Sequence, residues 1–191
     1  MEISEQNAQY VQDAIAGSDV AFAELMRVHA PALIRFVERM LRDSRVAEDV
    51  VQETFLKVWK SLHTFDQQKK ISTWLFQIAK NTAIDYARKK KIPVVSFTAY
   101  DDGERDIFEF VPSAEPLPDA VLARAETISE IYAAVETLGP AMAMVVRLHL
   151  EEGLTFAEIS VVLGQSIDTV KSRYRRALLR LREELAPKFG A

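Results

Sequence analysis

Apolar residues recur at helical spacing through two separate blocks of this chain, and between the blocks the spacing lapses. From Ile92 to about Ala123 the sequence carries Pro93, Pro112, Pro116 and Pro118, with DDGERD in the middle. Proline at that density breaks helices and central strands, and dense negative charge keeps a chain extended. VVSFT at 94–98 reads as a short strand with no neighbour to pair with. The pattern therefore predicts an all-α chain. Two small helical domains, residues 1–95 and 125–191, are joined by a flexible acidic linker over 96–124.

Composition removes several classes of function. The chain of 191 residues is 49% hydrophobic, enough for real cores, and has no cysteine. Disulfides, thiol catalysis and zinc fingers are excluded. No apolar run reaches the roughly 18 residues of a membrane span. The start, MEISEQNAQY, is polar and acidic, unlike a signal peptide, so the expected compartment is the cytoplasm. The net charge of −4 conceals an alternation: segments 1–66, 67–97, 98–136, 137–163 and 164–191 carry −4, +6, −8, −2 and +4. Two basic blocks flank an acidic one, an arrangement that matters more than the total.

Within residues 20–41, Phe22, Leu25, Met26, His29, Leu33, Phe36, Val37 and Met40 fall on one helical stripe. A second helix is expected from about Val46 to Leu62, burying Val50, Val51, Thr54, Val58 and Leu62. A third begins at Ser72 or Thr73 as N-cap and runs through ISTWLFQIAKNTAIDYARKKK, residues 71–91. Its expected buried stripe is Leu75, Ile78, Ala79, Thr82 and Tyr86, with Trp74 also in the core and Phe76 unassigned. Gln77, Lys80, Asn81, Ile84 and Arg88 face the other way. After the linker, helical pattern resumes near Ala125 and runs to Leu185, broken at Leu138-Gly139-Pro140, Gly153 and Gly164.

The sharpest local signal is LTFAEISVVLGQSIDTVKSRYRRALLRLREEL, residues 154–185. Thr155 can cap a short helix, with Glu158 as its capping-box partner; Gly164 supplies a turn and Ser166 caps the next helix. Ile159, Leu163, Ile167 and Val170 stand where a helix-turn-helix needs apolar residues to hold two helices at a steep angle. The second helix is expected to expose Asp168, Thr169, Lys171, Ser172, Arg173, Arg175 and Arg176. Small polar groups there can reach base edges while Lys and Arg pair with phosphates. The bland reading is a solvated basic helix in a small bundle; glycine and apolar spacing together favour DNA binding.

Three motifs in order, AEDVVQETFLKVWKSLHTF, STWLFQIAKNTAIDYARKKK and EEGLTFAEISVVLGQSIDTVKSRYRRALLRLRE, give the chain a family. It resembles the extracytoplasmic-function (group IV) sigma factors of bacterial RNA polymerase, over residues 20–91 and 127–185. There are departures. GPAMAMVVRLHL follows Leu138 where charged residues are usual, Ser160 replaces a common Ala, and Asp168 stands where Gly is frequent. The Met-rich stretch reads as extra apolar packing, with a partner as one surface it could pack against, and Asp168, at the DNA-facing end of its helix, bears on promoter choice.

The resemblance implies roles for each block. DVVQETFLKVW would dock on the clamp helices of the polymerase largest subunit. Asp49, Gln52, Glu53, Leu56 and Trp59 cannot share a core with the buried stripe of their helix, and such a face suits a basic, partly apolar coiled coil. A mixed solvent face with Trp59 half-buried is the alternative that the helix alone leaves open. The next block would read and melt the minus-ten element. Lys69, Lys70 and Ser72 in the loop DQQKKIST, then Lys80, Asn81, Arg88 and Lys89, would hold the separated strands. Ser166, Asp168, Thr169, Lys171, Ser172, Arg173, Arg175 and Arg176 would face the minus-thirty-five element. The resemblance further implies an anti-sigma partner, often anchored in the inner membrane in this family, covering the polymerase and DNA faces.

Two other classes stay in view. A stand-alone helix-turn-helix regulator explains residues 154–185 but leaves 45–91 without a purpose. An enzyme finds little support: His29, His63 and His149 are isolated in sequence, HLEE lacks metalloprotease spacing, and there is no phosphate loop or nucleophile elbow. No motif calls for a cofactor or a metal. His29, on an apolar stripe, is expected to be a satisfied core histidine. A membrane-surface role for 71–91 fits the basic tail, but Asn81 and Asp85 dilute the face and no lipidation motif is present.

Overall fold

The computed structural model describes residues 2–93 and 125–189, with side chains for 8–93 and 130–186. Every regular element among them is helical: α1 (Glu2–Ile15), α2 (Asp19–Leu41), α3 (Ser44–Ser61), a 3-10 turn at Leu62–Thr64, α4 (Ile71–Lys90), α5 (Ala125–Thr137), α6 (Pro140–Leu150), α7 (Phe156–Leu163) and α8 (Ile167–Phe189). The expected linker, with VVSFT and DDGERD, lies outside the described residues. The chain forms two compact units, Met1–Val95 with Val161–Leu163, and Ser96–Ser160 with Gly164–Ala191.

In the first unit the caps set the helix starts. Ser18 accepts from the Ala21 N–H at 3.2 Å, and the Asp43 carboxylate accepts from Arg45 and Val46 at 3.0 and 3.1 Å. Phe22, Leu25, Leu33, Phe36, Val37 and Met40 of α2 are buried as their spacing predicts, while Met26 and His29 are half-buried. On α3 the whole expected stripe of Val50, Val51, Thr54 and Val58 is buried, Leu62 follows in the 3-10 turn, and Phe55 joins them. Phe22 meets Phe55 edge-on with centroids 6.4 Å apart, and Phe36 meets Phe76 likewise at 5.1 Å. Thr54 stays satisfied in the core by donating to the Val50 carbonyl at 2.7 Å.

Three expectations for this unit need correcting. Helix α4 starts at Ile71, with Lys70 as a cap that makes no side-chain bond, so neither Ser72 nor Thr73 is the N-cap. Ile71 is buried, and the turn at Asp66, which accepts from the Gln68 and Lys69 N–H groups, brings it to the core in the helix's first turn. The buried face of α4 is Ile71, Leu75, Phe76, Ala79, Thr82, Ala83 and Ala87, with Ile78 and Tyr86 only half-buried. The small Ala79, Ala83 and Ala87 turn towards the neighbouring helices, and Phe76, not Trp74, fills the core. Trp74 lies half-buried against Phe65, centroids 5.1 Å apart. Helix α1, which the sequence pattern did not single out, buries Val11 and Ala14.

The third correction concerns His29. It sits on the α2 stripe as expected, but its Nε2 is buried with no hydrogen-bond partner, so it is a core histidine that is not satisfied. Burial pushes its pKa below the ordinary imidazole value. The folded unit then binds this proton less readily than the unfolded chain. Its contribution is whole above the unfolded pKa of 6.5 and is lost as pH falls below that value. The urea midpoint of the first unit should therefore fall between pH 7.5 and 5.5 on the order of the range where histidine titrates, and His29→Leu should flatten that dependence.

The second unit packs α5 and α6 against the long α8. Ala134, Val135, Leu138, Met142, Ala143 and Val146 interlock with Ala177, Leu181 and Leu185. Met142 is thus part of the unit's own core, and Met144 is buried too. Leu138-Gly139-Pro140 ends α5 and opens α6, with Gly139 as N-cap and Pro140 at a first-turn position that needs no N–H. Among the described residues, Arg147 is one of two arginines buried in this unit. Arg147 on α6 reaches Glu136 on α5 through Nη2, donates to Glu151 through Nη1 at 2.6 Å, and stands 5.8 Å from the Tyr132 ring centroid.

Candidate nucleic-acid and protein interfaces

The helix-turn-helix forms where its sequence requires. Thr155 Oγ1 accepts from the Glu158 N–H at 3.2 Å, and the Glu158 carboxylate accepts from the Thr155 N–H at 2.7 Å, closing the capping box. Gly164 ends α7 with φ 70, a conformation costly for residues with a Cβ. Ser166 Oγ accepts from the Thr169 N–H at 3.1 Å and starts α8. Ile159, Leu163 and Val170 are buried. Ile167 is not: in the first turn of α8 it is 38% exposed.

At about 100° per residue, the buried side of α8 runs through Val170, Ala177 and Leu181, and Asp168, Lys171, Ser172 and Arg175 lie opposite. Asp168, Lys171 and Arg175 are exposed and Ser172 is half-buried. Thr169 and Arg176 flank this stripe, both half-buried. Arg173 departs from expectation. It is only 7% exposed, and its Nη1 donates to Gln165 Oε1 in the turn. The reason was available in the spacing: Arg173 lies three residues from Val170 and four from Ala177, on the core side. Arg173 thereby ties the turn to α8.

Sequence reading also missed an aromatic triangle beneath the motif. His149, Phe156 and Tyr174 meet with centroids 4.6, 4.9 and 5.0 Å apart, and His149 Nδ1 donates to the Leu154 carbonyl at 2.8 Å. The end of α6, the start of α7 and the middle of α8 are fixed to one another there. The three residues are distant in sequence, so only the fold reveals them.

On the first unit, α3 presents a second face. Asp49 and Gln52 are exposed, Glu53 is half-buried, Leu56 is 62% exposed and Trp59 is 40% exposed. Trp59 meets Phe22 with centroids 4.7 Å apart and ring planes tilted by 56°. Glu53 pairs with Lys57 at 3.3 Å, and Lys57 Nζ also donates to the buried Thr82 hydroxyl at 3.1 Å. A carboxylate, amide and apolar surface is thereby displayed on a helix clasped to α4.

Helix α4 carries the third face. Gln77, Lys80, Asn81, Ile84 and Arg88 share one side, with Asn81 and Arg88 exposed. Lys80 is half-buried, and burial lowers its pKa, an ammonium already partly stripped of water. Arg88 pairs with Asp85 at 2.9 Å, and Lys69 with Asp66 at 3.5 Å, both on the surface where such pairs exchange readily. Lys70 and Lys89 are exposed at the two ends of the helix, and Ser72 is half-buried in its first turn. Among the described residues no cluster of acids and histidines could hold a metal ion, and no helix is long and apolar enough to cross a membrane.

Comparison with known proteins places both units. The family model for sigma-70 region 2 matches residues 25–92, and that for sigma-70 region 4 matches residues 128–181. The ECF RNA polymerase sigma factor SigW of Bacillus subtilis is 30% identical over 88% of this chain and 91% of its own length. The ECF RNA polymerase sigma factor SigE of Mycolicibacterium smegmatis is 31% identical over 85% of this chain, which spans 61% of that protein. Among solved structures, CnrH in complex with the cytosolic domain of CnrY is similar with a TM-score of 0.59, 24% identity, and coverage of 94% of this chain and 97% of that one. The sigma factor RpoE in complex with the anti-sigma factor NepR, from Bartonella quintana, gives 0.56 and 25%, covering 86% and 96%.

Proposed function

The chain belongs to the extracytoplasmic-function sigma factors of the sigma-70 family, and from that premise we propose how its surfaces divide the work of transcription initiation. Residues 1–95 bind core RNA polymerase and open the minus-ten element; residues 125–191 hold the minus-thirty-five element as duplex; residues 96–124 join them. Asp49, Gln52, Glu53, Leu56 and Trp59 form the polymerase face. Lys80, Asn81 and Arg88, with Lys69, Lys70, Ser72 and Lys89 around them, contact the minus-ten strands. Lys171, Ser172 and Arg175 contact the upstream element, with Ser166, Thr169 and Arg176 at its border. Arg173 serves by bracing.

The observation that carries this reading is the coexistence of two unlike surfaces on one chain. An acidic-apolar face on α3 suits a protein partner, and an open basic stripe on α8 suits duplex phosphates. A stand-alone regulator has use for the second only. Two modest DNA-binding units gain from effective concentration once polymerase holds both. An anti-sigma factor, as in the RpoE–NepR complex, would act by covering these same faces, and the site of action is the cytoplasm.

Two measurements test the division. The full chain should co-purify with core polymerase in stoichiometric amount; a regulator acting alone would not. Lys171→Ala and Arg175→Ala should each weaken upstream-element binding by holoenzyme roughly tenfold and lower its salt dependence by about one unit, with core binding unchanged. Equal loss of core binding would show that the faces are not separate.

A further inference from the structure

The tip of α8 holds a group that phosphate binding does not explain. Asp168 is an exposed carboxylate in the helix's first turn, on the same line as Lys171, Ser172 and Arg175. Its side chain makes no hydrogen bond or ion pair in the described structure. Its neighbours are occupied: Ser166 Oγ and Thr169 Oγ1 lie 2.8 Å apart, Ser166 Oγ also accepts from the Thr169 N–H, and Arg173 is turned inward to Gln165. Asp168 therefore sets an uncommitted negative charge at the tip of the recognition helix, on the same exposed line as the cationic Lys171 and Arg175.

A carboxylate against DNA has few favourable partners. Phosphates repel it. In the major groove guanine offers N7 and O6 and thymine offers O4, all acceptors, so both are repelled as well. Donors are the amino groups of adenine and cytosine. Adenine carries its acceptor N7 beside that amino group on the same base, whereas cytosine's own edge shows the N4 amino group beside a C–H, its neighbouring acceptor being O6 of the paired guanine.

We propose that Asp168 is a specificity-determining residue that accepts a hydrogen bond from the N4 amino group of one cytosine in the upstream promoter element. It makes this chain reject guanine and thymine at that position. The basic stripe supplies affinity that varies little with sequence, and Asp168 turns a part of that affinity into choice. This inference rests on the reading of α8 as the helix that enters the upstream element.

The test is binding by holoenzyme, assembled from core polymerase and the full chain, to a library with every single-base change in the upstream element. Wild type should show one position where cytosine is preferred over guanine or thymine by about tenfold to a hundredfold. Asp168→Ala should flatten that position alone and leave the others as they were. Asp168→Asn should move the preference towards adenine, whose N6 and N7 an amide can engage together. Tighter binding by Asp168→Ala to every sequence, with the profile unchanged, would show that the carboxylate only repels phosphate and would overturn the proposal. Absence of any sequence preference in the wild-type arm would instead overturn the promoter reading beneath it. Co-purification of each variant with core polymerase confirms that it is folded.

Discussion

Leu56→Asp should leave the first unit folded and lower its affinity for core RNA polymerase by about a hundredfold, which corresponds to about 2.7 kcal/mol. The leucine is 62% exposed on α3, between Gln52 and Trp59, and adds almost nothing to the core formed by Val50, Val51, Thr54, Phe55 and Val58. Its apolar surface is therefore available to a partner, and a central apolar contact in a protein interface commonly costs 2 kcal/mol or more, on the order of a hot spot, when lost. Charge at that point adds a desolvation penalty. Trp59→Ala should also weaken binding, but less cleanly, because the ring rests on Phe22 at 4.7 Å and its loss opens the edge of the core. Isothermal titration beside urea unfolding separates the two cases. Leu56→Asp moves only the first measurement, whereas Trp59→Ala moves both.

The second large effect lies in the other unit. Arg147→Ala should destabilise it by about 3 kcal/mol, the usual result of removing one member of a buried ion pair. The guanidinium ties α5 to α6 through Glu136 and holds Glu151, whose side chain is nearly buried, at the end of α6. Glu136 is largely exposed and contributes less. Without the arginine, Glu151 is left in low dielectric with no counter-charge. Replacing the pair together, as Arg147→Met with Glu151→Gln, should recover most of the loss, since an apolar chain of similar length fills the space and no charge is stranded. Thermal unfolding decides it: a midpoint equal to wild type in the single variant would show that Arg147 is not holding the helices together. A lowered midpoint should carry DNA binding down with it, because the His149–Phe156–Tyr174 contact hangs the recognition helix on the same α6.

These residues show how far the sequence could be read. The stripes of α2 and α3 were legible because large apolar side chains repeat there with a period that leaves little choice. Helix α4 was legible in place but not in rotation. Its inward face is lined by Ala79, Ala83 and Ala87, and alanine carries too little hydrophobic signal to outweigh Ile78 and Tyr86 beside it. Helix α1 was missed since it buries little more than Val11 and Ala14 among its described side chains. The caps and turn of the helix-turn-helix were legible, because a capping box and a left-handed glycine are local chemistry, while Ile167 and Arg173 were placed on the wrong sides. Buried arginines were not legible. Arg147 and Arg173 look like surface residues until Glu136, Glu151 and Gln165 are brought to them by folding. The exposure of residues on α3, α4 and α8 was largely legible from their spacing, but the fold was needed to show that Arg173 turns inward to Gln165.

The central claim is that this chain confers promoter choice on a polymerase that lacks it. Multi-round run-off transcription with purified core enzyme, the full chain and fragments of the source genome tests it most directly. The account predicts discrete transcripts that appear only when the chain is added, that map to starts sharing an upstream and a minus-ten element, and that disappear with Leu56→Asp. Transcripts independent of the chain, or added chain that binds the fragments and never initiates from them with core polymerase, would contradict it.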